Sequence, residues 1–310
     1  MNTWKLLDDF ITRGRLELPQ KAAFWPSMAS VVLTDKLGSS WVEGKCMRAS
    51  FWNYVLQIDS PVAPDRELLI NPTAYSQWVW RMGKAAENIV IEEFKKSGMW
   101  TGNNIKYFDD LHNISGELDS TVYDPEEEVE FIAEIKSIHG YYAQKQIIGT
   151  DRSPGFPRWS NLLQLALYLD FLRGLKDKYP YGKLLYIDRG DMSRKEYKVR
   201  IIGDQDTPEE ERYVEVEGQR VINFTMKDIY DRYRALNDYI EAGKLPPNDY
   251  VIKYNDEQIE TLYEQGRLGK TKYNKWKKPT KNKQPEHPGG DWSCQRAWCS
   301  YSGLCWPEGK

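Results

Sequence analysis

The chain has 310 residues, 40% of them hydrophobic and 29% charged, so it is long enough to bury a large core and has the composition of an ordinary globular protein. Its formal net charge of −3 excludes a uniformly basic protein, so any surface that binds nucleic acid must be local. No run of about 18 apolar residues occurs, and the sequence therefore predicts no membrane-spanning helix.

The N-terminal residues and the cysteines indicate a compartment. Asp8 and Asp9 stand where a signal peptide would continue its apolar core, so we expect a cytoplasmic, intracellular protein, a phage-encoded one included. In such a reducing setting, four cysteines indicate metal binding or catalysis more than disulfides.

Breaks and caps divide the chain into predicted elements. Residues 1–38 predict irregular structure, and a helix capped at Ser39 or Ser40 is predicted to run to about Gln57 and to contain Cys46. A loop is predicted at 61–72, a helix at 72–96 ended by Gly98, a hairpin at 105–138, and a glycine- and proline-rich loop or lid at 139–158. A helix at 158–176 and strands at 183–188, 195–202 and about 212–224 follow. The last of these predicted elements is a helix at 225–242, which Thr225 caps and Gly243 ends.

These elements predict a mixed α/β (α+β) fold, with a central mixed sheet flanked by helices. The helix at 158–176 is apolar nearly all round, which is typical of a buried helix. We expect residues 1–245 to form the core together with an N-terminal helical part. Residues 246–310 are expected to form a separate segment that packs back on the N-terminal helix.

The hairpin contains the residues with the clearest chemistry. Asp119 ends one apolar arm, and Glu134-Ile135-Lys136 lies on the other, across an acidic turn at 124–128. Two carboxylates and the Ile135 carbonyl can bind Mg²⁺ or Mn²⁺, and Lys136 can position or deprotonate a water, which together suit hydrolysis of a phosphodiester. The alternative is an exposed pair of carboxylates and a lysine on a sheet edge.

Two further pairs extend this candidate site. Gly83 and Glu87 lie in the predicted helix at 72–96, where a small residue permits close contact with the sheet and Glu87 can reach the metal. Gln164 and Tyr168 share one face of a buried helix, where they can contact a DNA phosphate or the catalytic lysine. The alternatives are a solvated helix glutamate and a hydrogen-bonded pair in the core.

The order of these motifs resembles the PD-(D/E)xK nuclease superfamily, in its RecB-like exonuclease branch, over about residues 40–306. The resemblance implies a restriction-endonuclease-like core and metal-dependent cleavage of DNA by a single attack of water. It implies an exonuclease more than an endonuclease, which would act in recombination, repair or phage DNA processing. It also implies that Asp119 and Glu134 are metal ligands, that Lys136 handles the water, and that Gln164 and Tyr168 contact the substrate or organise the site. Many relatives have a histidine at the position of Glu87.

The four cysteines form a second candidate site. Cys294, Cys299 and Cys305 lie near the C-terminus, and Cys46 would complete a set of four thiolates for Zn²⁺ or a [4Fe-4S] cluster. The alternative is unrelated buried thiols. The arrangement resembles the iron–sulfur subgroup of the same family, which includes the CRISPR-associated RecB-like exonuclease and the AddB-type nuclease domain, and implies a structural cluster. The four-residue gap after Cys294 is longer than the usual two, and His287 offers a zinc alternative.

A basic stretch precedes the last cysteines. It interleaves lysines with Tyr273 and Trp276, which suits the phosphates and bases of a single strand, or else it is a solvated loop. We therefore expect DNA, as single strands or ends, as the partner, with no membrane, together with a second copy of the chain or a helicase or recombination protein. Two alternatives are a DNA-end-binding subunit that cleaves weakly or not at all and a zinc-stabilised endonuclease. The basic residues are Arg267, Lys270, Lys272, Lys275, Lys277, Lys278, Lys281 and Lys283.

Overall fold

The computed structural model describes residues 22–36, 38–58, 73–102, 105–278, 285–294 and 299–306. These residues divide into two compact units. The described part of the larger unit lies within 15–63 and 78–247, and that of the smaller unit within 64–77 and 248–310. The loop predicted at 61–72 lies outside the described residues.

The described chain contains both helices and strands. The helices are α1 (Met47–Val55), α2 (Ala74–Ser97), α3 (Tyr141–Ile147), α4 (Trp159–Phe171), α5 (Met226–Glu241), α6 (Asp256–Glu264), α7 (Lys270–Lys277) and α8 (Ser302–Cys305), with 3-10 turns at Pro26–Met28, Leu172–Leu175 and Trp292–Cys294. The strands are β1 (Ser30–Thr34), β2 (Ser40–Gly44), β3 (Trp100–Gly102), β4 (Lys106–Asp109), β5 (Ile114–Glu117), β6 (Ser120–Asp124), β7 (Val129–Ile138), β8 (Gly149–Thr150), β9 (Ser153–Pro154), β10 (Gly182–Asp188), β11 (Arg194–Ile202), β12 (Tyr213–Val216) and β13 (Gln219–Arg220).

A mixed sheet forms the centre of the larger unit. Its strand order is β13-β12-β11-β10-β7-β6-β3. The β7–β10 pair is parallel and its other pairs are antiparallel. The predicted mixed α/β fold is therefore confirmed. Within the described ranges, no helix has both the length and the apolar surface that crossing a membrane requires.

Helices cover both faces of β7, as expected for a strand at the parallel centre of a sheet. On one face, Phe131 and Ala133 form a buried cluster with Val122 and Tyr181, against which Phe94 of α2 packs. On the other face α4 lies so close to β10 that a Cβ on Gly182 would come within 2.7 Å of the Leu165 side chain. Residues 162–170 of α4 are all buried, so the prediction of a buried helix is confirmed.

The predicted hairpin is correct in its second arm and wrong in its first. The strand that pairs with β7 is β6, whereas β5 pairs with β4 in a separate two-stranded sheet. Asp119 consequently lies at the bend between β5 and β6 rather than on a strand. The predicted turn is present, because Asp124 accepts hydrogen bonds from the backbone N–H groups of Glu126 and Glu127.

Three other predictions are corrected by strand pairing. Residues 30–34 are not irregular, because they pair with β2 as a hairpin. The helix predicted from Ser39 or Ser40 begins only at Met47, so Cys46 lies immediately before it. The segment predicted as a loop or lid at 139–158 contains α3 and the small β8–β9 pair.

The remaining boundaries agree closely with the predictions. Helix α2 ends one residue before Gly98, and β10 and β11 match the strands predicted at 183–188 and 195–202. Thr225 caps α5 in a capping box with Asp228, as the sequence indicated. Strands β12 and β13 together occupy part of the range predicted at 212–224.

Candidate active site

The candidate site lies where β6 and β7 separate. Strand β6 begins at Ser120, opposite Ala133, whereas β7 continues to Ile138. The N–H of Ile132 points toward β10, where Tyr181 accepts it, so the N–H of Ile135 points to the opposite side.

Asp119 fills this opening beside β7. Its Oδ2 accepts a hydrogen bond from the Ile135 N–H at 3.3 Å. The N–H and C=O of one residue point the same way along an extended strand, so the Ile135 carbonyl also faces Asp119. The backbone of β7 thus orients both the carboxylate and the carbonyl that the sequence predicted as ligands.

Glu134 and Lys136 project from the same face of β7, as their spacing predicted. Glu134 is completely buried, and the Lys136 ammonium contacts its Oε1. The same ammonium lies 3.9 Å from Asp119 Oδ2. The structure therefore brings the three charged groups together.

The charges of this group depend on its burial. Burial raises the pKa of Glu134 to about 7, an effect that Lys136 opposes and Asp119 reinforces. For Lys136, burial lowers the pKa, but the carboxylates of Glu134 and Asp119 outweigh it and the pKa is raised overall. Lys136 is therefore a cation at neutral pH, which suits positioning and charge stabilisation better than proton abstraction.

Glu87 lies near this group but has its own partner. It pairs with Lys84 one turn earlier on α2, and its charge contributes to the raised pKa of Glu134. A Cβ on Gly83 would come within 3.3 Å of Ser137 Oγ, so the predicted close contact between α2 and the sheet is present. The structure thus places Glu87 beside the site.

Gln164 and Tyr168 form a hydrogen-bonded pair on α4. The Gln164 side-chain amide donates to Tyr168 Oη at 3.3 Å, and that hydroxyl donates to the Glu117 carbonyl at 3.0 Å. Both side chains are buried. The pair consequently holds the end of β5, two residues before Asp119, so within the protein its contacts position the backbone of the site.

Two clefts meet at the exposed side chain of Glu117. One, of about 570 Å³, is lined by residues of α2 and by Asp119. The other, of about 410 Å³, is lined by Trp25, Lys106 and Tyr168, among others. Sequence reasoning missed the cleft residues Trp25, Lys84, Lys106 and Glu117. Only Glu117 gave a signal, since it stands between Gly116 and Asp119 in the motif.

The donor atoms fit a hard divalent cation. Within the described ranges, no three His, Cys, Asp or Glu side chains are gathered as a metal-ligand set. Mg²⁺, however, usually keeps several waters and needs only one or two carboxylates. The Lys136 ammonium contacts Oε1 of the buried Glu134 carboxylate, whereas Oε2 accepts no hydrogen bond within the described chain. A buried acceptor of this kind is satisfied by a cation.

The cysteines are divided between the two units. Cys46 belongs to the larger unit, and Cys294, Cys299 and Cys305 belong to the smaller. Both ring nitrogens of His287 have contacts within the smaller unit: Nδ1 accepts from the Gly289 N–H, and Nε2 lies 3.0 Å from the Tyr254 carbonyl. The four-cysteine cofactor and the zinc alternative both stay predictions.

The cofactor prediction has a direct measurement. Protein purified without oxygen is expected to be brown, with broad visible absorption and bound iron and sulfide, because four thiolates suit a [4Fe-4S] cluster. Cys299→Ser should lose the colour and most of the iron. A colourless protein that contains one zinc per chain would contradict the iron–sulfur assignment and support the zinc alternative.

The basic stretch is helical where it is described. The Tyr273 ring of α7 stacks on Tyr263 of α6 at 3.7 Å, and both Tyr273 and Lys277 contact Glu260. These aromatics therefore pack within the smaller unit on at least one face. Lys270, Lys272 and Lys278 are exposed, whereas Lys281 and Lys283 lie outside the described residues.

Comparisons with known proteins add no assignment. No protein-family model matches the chain, and no curated protein matches it with significant similarity.

Proposed function

We propose that this protein is a metal-dependent nuclease of the PD-(D/E)xK type that hydrolyses phosphodiester bonds in DNA. The observation that carries the proposal is the Glu134 carboxylate, which is fully buried, contacts the Lys136 ammonium through Oε1 and leaves Oε2 without a hydrogen bond within the described chain. The same ammonium lies 3.9 Å from Asp119 Oδ2, so all three groups face one point. A buried carboxylate is costly unless cations or hydrogen-bond donors satisfy it, and here Lys136 contacts Oε1 while Oε2 has no donor within the described chain. Its raised pKa beside a cleft is typical of a functional site.

The residues have distinct tasks in this proposal. Asp119, Glu134 and the Ile135 carbonyl would hold Mg²⁺ or Mn²⁺, which when bound supplies positive charge to the phosphate and a more acidic water. The Ile135 N–H fixes Asp119, and Gln164 with Tyr168 fixes the preceding strand end. Lys136, as a cation, stabilises the negative charge that develops on the phosphate oxygens.

The reaction is a single displacement at phosphorus. The oxygen of water bonds to phosphorus and releases one proton to solvent, while the bond to the leaving sugar oxygen breaks and that oxygen takes up one proton from solvent. Because no covalent intermediate is required, no side-chain nucleophile is needed. We propose DNA ends or single strands as the substrate, in exonucleolytic cleavage, in keeping with the RecB-like resemblance.

The test is cleavage of end-labelled single strands, end-labelled duplexes and closed circular DNA, with Mg²⁺, Mn²⁺ or chelator. We expect cleavage of the linear substrates that chelator stops. Asp119→Asn should lower the rate by at least about 10²-fold, the loss typical for one preorganised electrostatic group. Glu93→Gln, which changes an exposed carboxylate of α2, should not.

The outcomes separate the alternatives. Equal cleavage by Asp119→Asn and the parent, purified side by side, would show that the assigned site is wrong. Binding of DNA ends without cleavage in either metal would replace the nuclease by an end-binding subunit. Cleavage of closed circles at the rate of linear DNA would replace the exonuclease by an endonuclease.

A further inference from the structure

The cleft lined by Trp25 shares Glu117 with the second cleft, which is lined by Glu87 and Asp119. Its volume of about 410 Å³ falls in the range of about 300–1,000 Å³ that small-molecule sites occupy. It is lined by aromatic, basic and hydroxyl side chains together with Glu117. The cleft therefore offers both a stacking surface and polar contacts next to the candidate active site.

The backbone around Trp25 is fixed to strand β5. Phe24 and Ile114 form a β-bridge, in which the Phe24 N–H donates to Asn113 O and the Ser115 N–H donates to Phe24 O, each at 2.8 Å. Tyr233 Oη donates to the Trp25 carbonyl at 3.1 Å. These contacts use the main chain of Trp25 and leave its half-buried indole in the cleft.

The cleft is closed at its floor. A Cβ added to Gly116 would meet Pro26 Cγ at 2.8 Å and Tyr168 Cε1 at 3.1 Å, so glycine is needed for these side chains to approach β5. Within the described chain, Trp25 takes part in none of the ring–ring contacts that engage other aromatics, such as Tyr107 with Phe171. Its indole is therefore held in place without an aromatic partner.

Charged groups stand at the mouth of this cleft. Lys106 on β4 and Glu117 on β5 are cross-strand partners, and both are exposed. No ion pair of the described residues involves Lys106. Its ammonium is thus available to a phosphate, and the Glu117 carboxylate can accept from the amino group of a base.

We propose that this cleft binds the unpaired nucleotide next to the phosphate that is cleaved, with its base stacked on Trp25 and its phosphate near Lys106. A base in a duplex is already stacked on its neighbours, so this subsite selects single strands or frayed ends. This subsite rests on the proposed function and narrows the substrate of the same site to DNA with an unpaired base. It predicts a binding defect that can be measured without any cleavage.

The experiment is binding of a fluorescent thymidine oligonucleotide, followed by anisotropy in the presence of chelator. Trp25→Ala is expected to weaken binding by about 5- to 150-fold, the equivalent of ~1–3 kcal/mol for loss of one stacked base. Trp25→Phe should retain most of the affinity, because a phenyl ring still stacks. Trp80→Ala is the matched control, since Trp80 is an exposed tryptophan of α2 that lines neither cleft.

A second substrate tests the stacking itself. An otherwise identical oligonucleotide made of abasic nucleotides should bind the parent and Trp25→Ala equally, whereas blunt duplex should bind both weakly. The subsite would be overturned if the parent and Trp25→Ala bound the thymidine strand with equal affinity. It would also be overturned if Trp25→Ala weakened binding of the abasic strand as much as binding of the thymidine strand. A parent protein that does not bind single strands would overturn it as well. Thermal unfolding of each variant checks the fold. If Trp25→Ala unfolds, Trp25→Leu replaces it, because leucine keeps an apolar side chain but has no ring on which a base can stack.

Failure of the subsite and failure of the nuclease are distinguishable. If Trp25→Ala loses single-strand affinity but the parent cleaves nothing in Mg²⁺ or Mn²⁺, the subsite stands and the nuclease fails. If the parent cleaves and Trp25→Ala binds and cleaves single strands like the parent, the nuclease stands and the subsite is wrong.

Discussion

Glu134→Gln is expected to lower DNA cleavage by at least about 10²–10³-fold, the loss that follows removal of one essential electrostatic group from an active site. The same substitution is expected to raise the melting temperature of the chelated protein at pH 8. Glutamine has nearly the shape of glutamate, but burying it requires no charge to leave water. A gain in stability together with a loss of activity is characteristic of a residue kept for function rather than for folding.

The stability gain should depend on pH in a defined direction. Burial raises the pKa of Glu134 from 4.5 to about 7, so between these values the folded state binds a proton that the unfolded state has lost. Stability therefore falls as the pH rises from about 4.5 to 7, and the loss is complete above 7. Glu134→Gln lacks this loss, so its advantage in melting temperature should be small at pH 4.5 and largest at pH 8.

Thermal unfolding from pH 4.5 to 8, with and without Mg²⁺, measures this prediction. Mg²⁺ should stabilise the parent more than Glu134→Gln at pH 8, since a ligand stabilises only the state that binds it. Glu130→Gln, on the same strand and face but partly exposed, is the matched control and should show neither effect. A Glu134→Gln variant less stable than the parent at pH 8 would contradict the assignment.

Local patterns were sufficient to predict much of the fold and part of the site. The helix caps and the apolar strands gave most element boundaries, and the alternation of β7 placed Glu134 and Lys136 on one face. Asp119 was assigned to the wrong type of structure because its bend depends on β5 pairing with β4, a choice that alternation does not reveal. Its place beside Ile135 is nevertheless close to the prediction.

The parts that were missed depend on contacts between distant residues. Trp25 lies beside the site because Phe24 forms a β-bridge with Ile114, which is ninety positions later in the chain. No local sequence pattern predicts that bridge. In the same way, α4 was predicted as an apolar, buried helix, yet it contains Asp170 with no exposed surface. Asp170 can be buried because Arg212 and Tyr230 contact its carboxylate. Both lie far from α4 in the sequence, so the pattern of α4 alone does not predict these contacts.

Asp170→Ala is expected to destabilise the fold by about 3–5 kcal/mol, the cost of leaving one partner of a buried ion pair without the other. The Arg212 Nε lies 3.3 Å from Asp170 Oδ1, and Arg212 is itself only 3% exposed. Tyr230 Oη donates to Asp170 Oδ2 at 2.7 Å, and Arg173 also contacts that oxygen. Without Asp170, the buried guanidinium of Arg212 would lose this anion, and the Tyr230 hydroxyl would lose its acceptor.

Urea unfolding of the parent and of Asp170→Ala measures the difference in the free energy of unfolding. Asp204→Ala, which removes an exposed carboxylate paired with Lys176, is the control and should leave unfolding unchanged. The double variant Asp170→Leu with Arg212→Met should recover most of the loss, because an apolar pair of similar volume can replace a buried ion pair. Helix α4 also carries Gln164 and Tyr168, so cleavage by Asp170→Ala should fall with the folded fraction rather than independently of it. A loss below about 1 kcal/mol would mean that Arg212 reaches water when Asp170 is removed, and that the pair contributes little to stability.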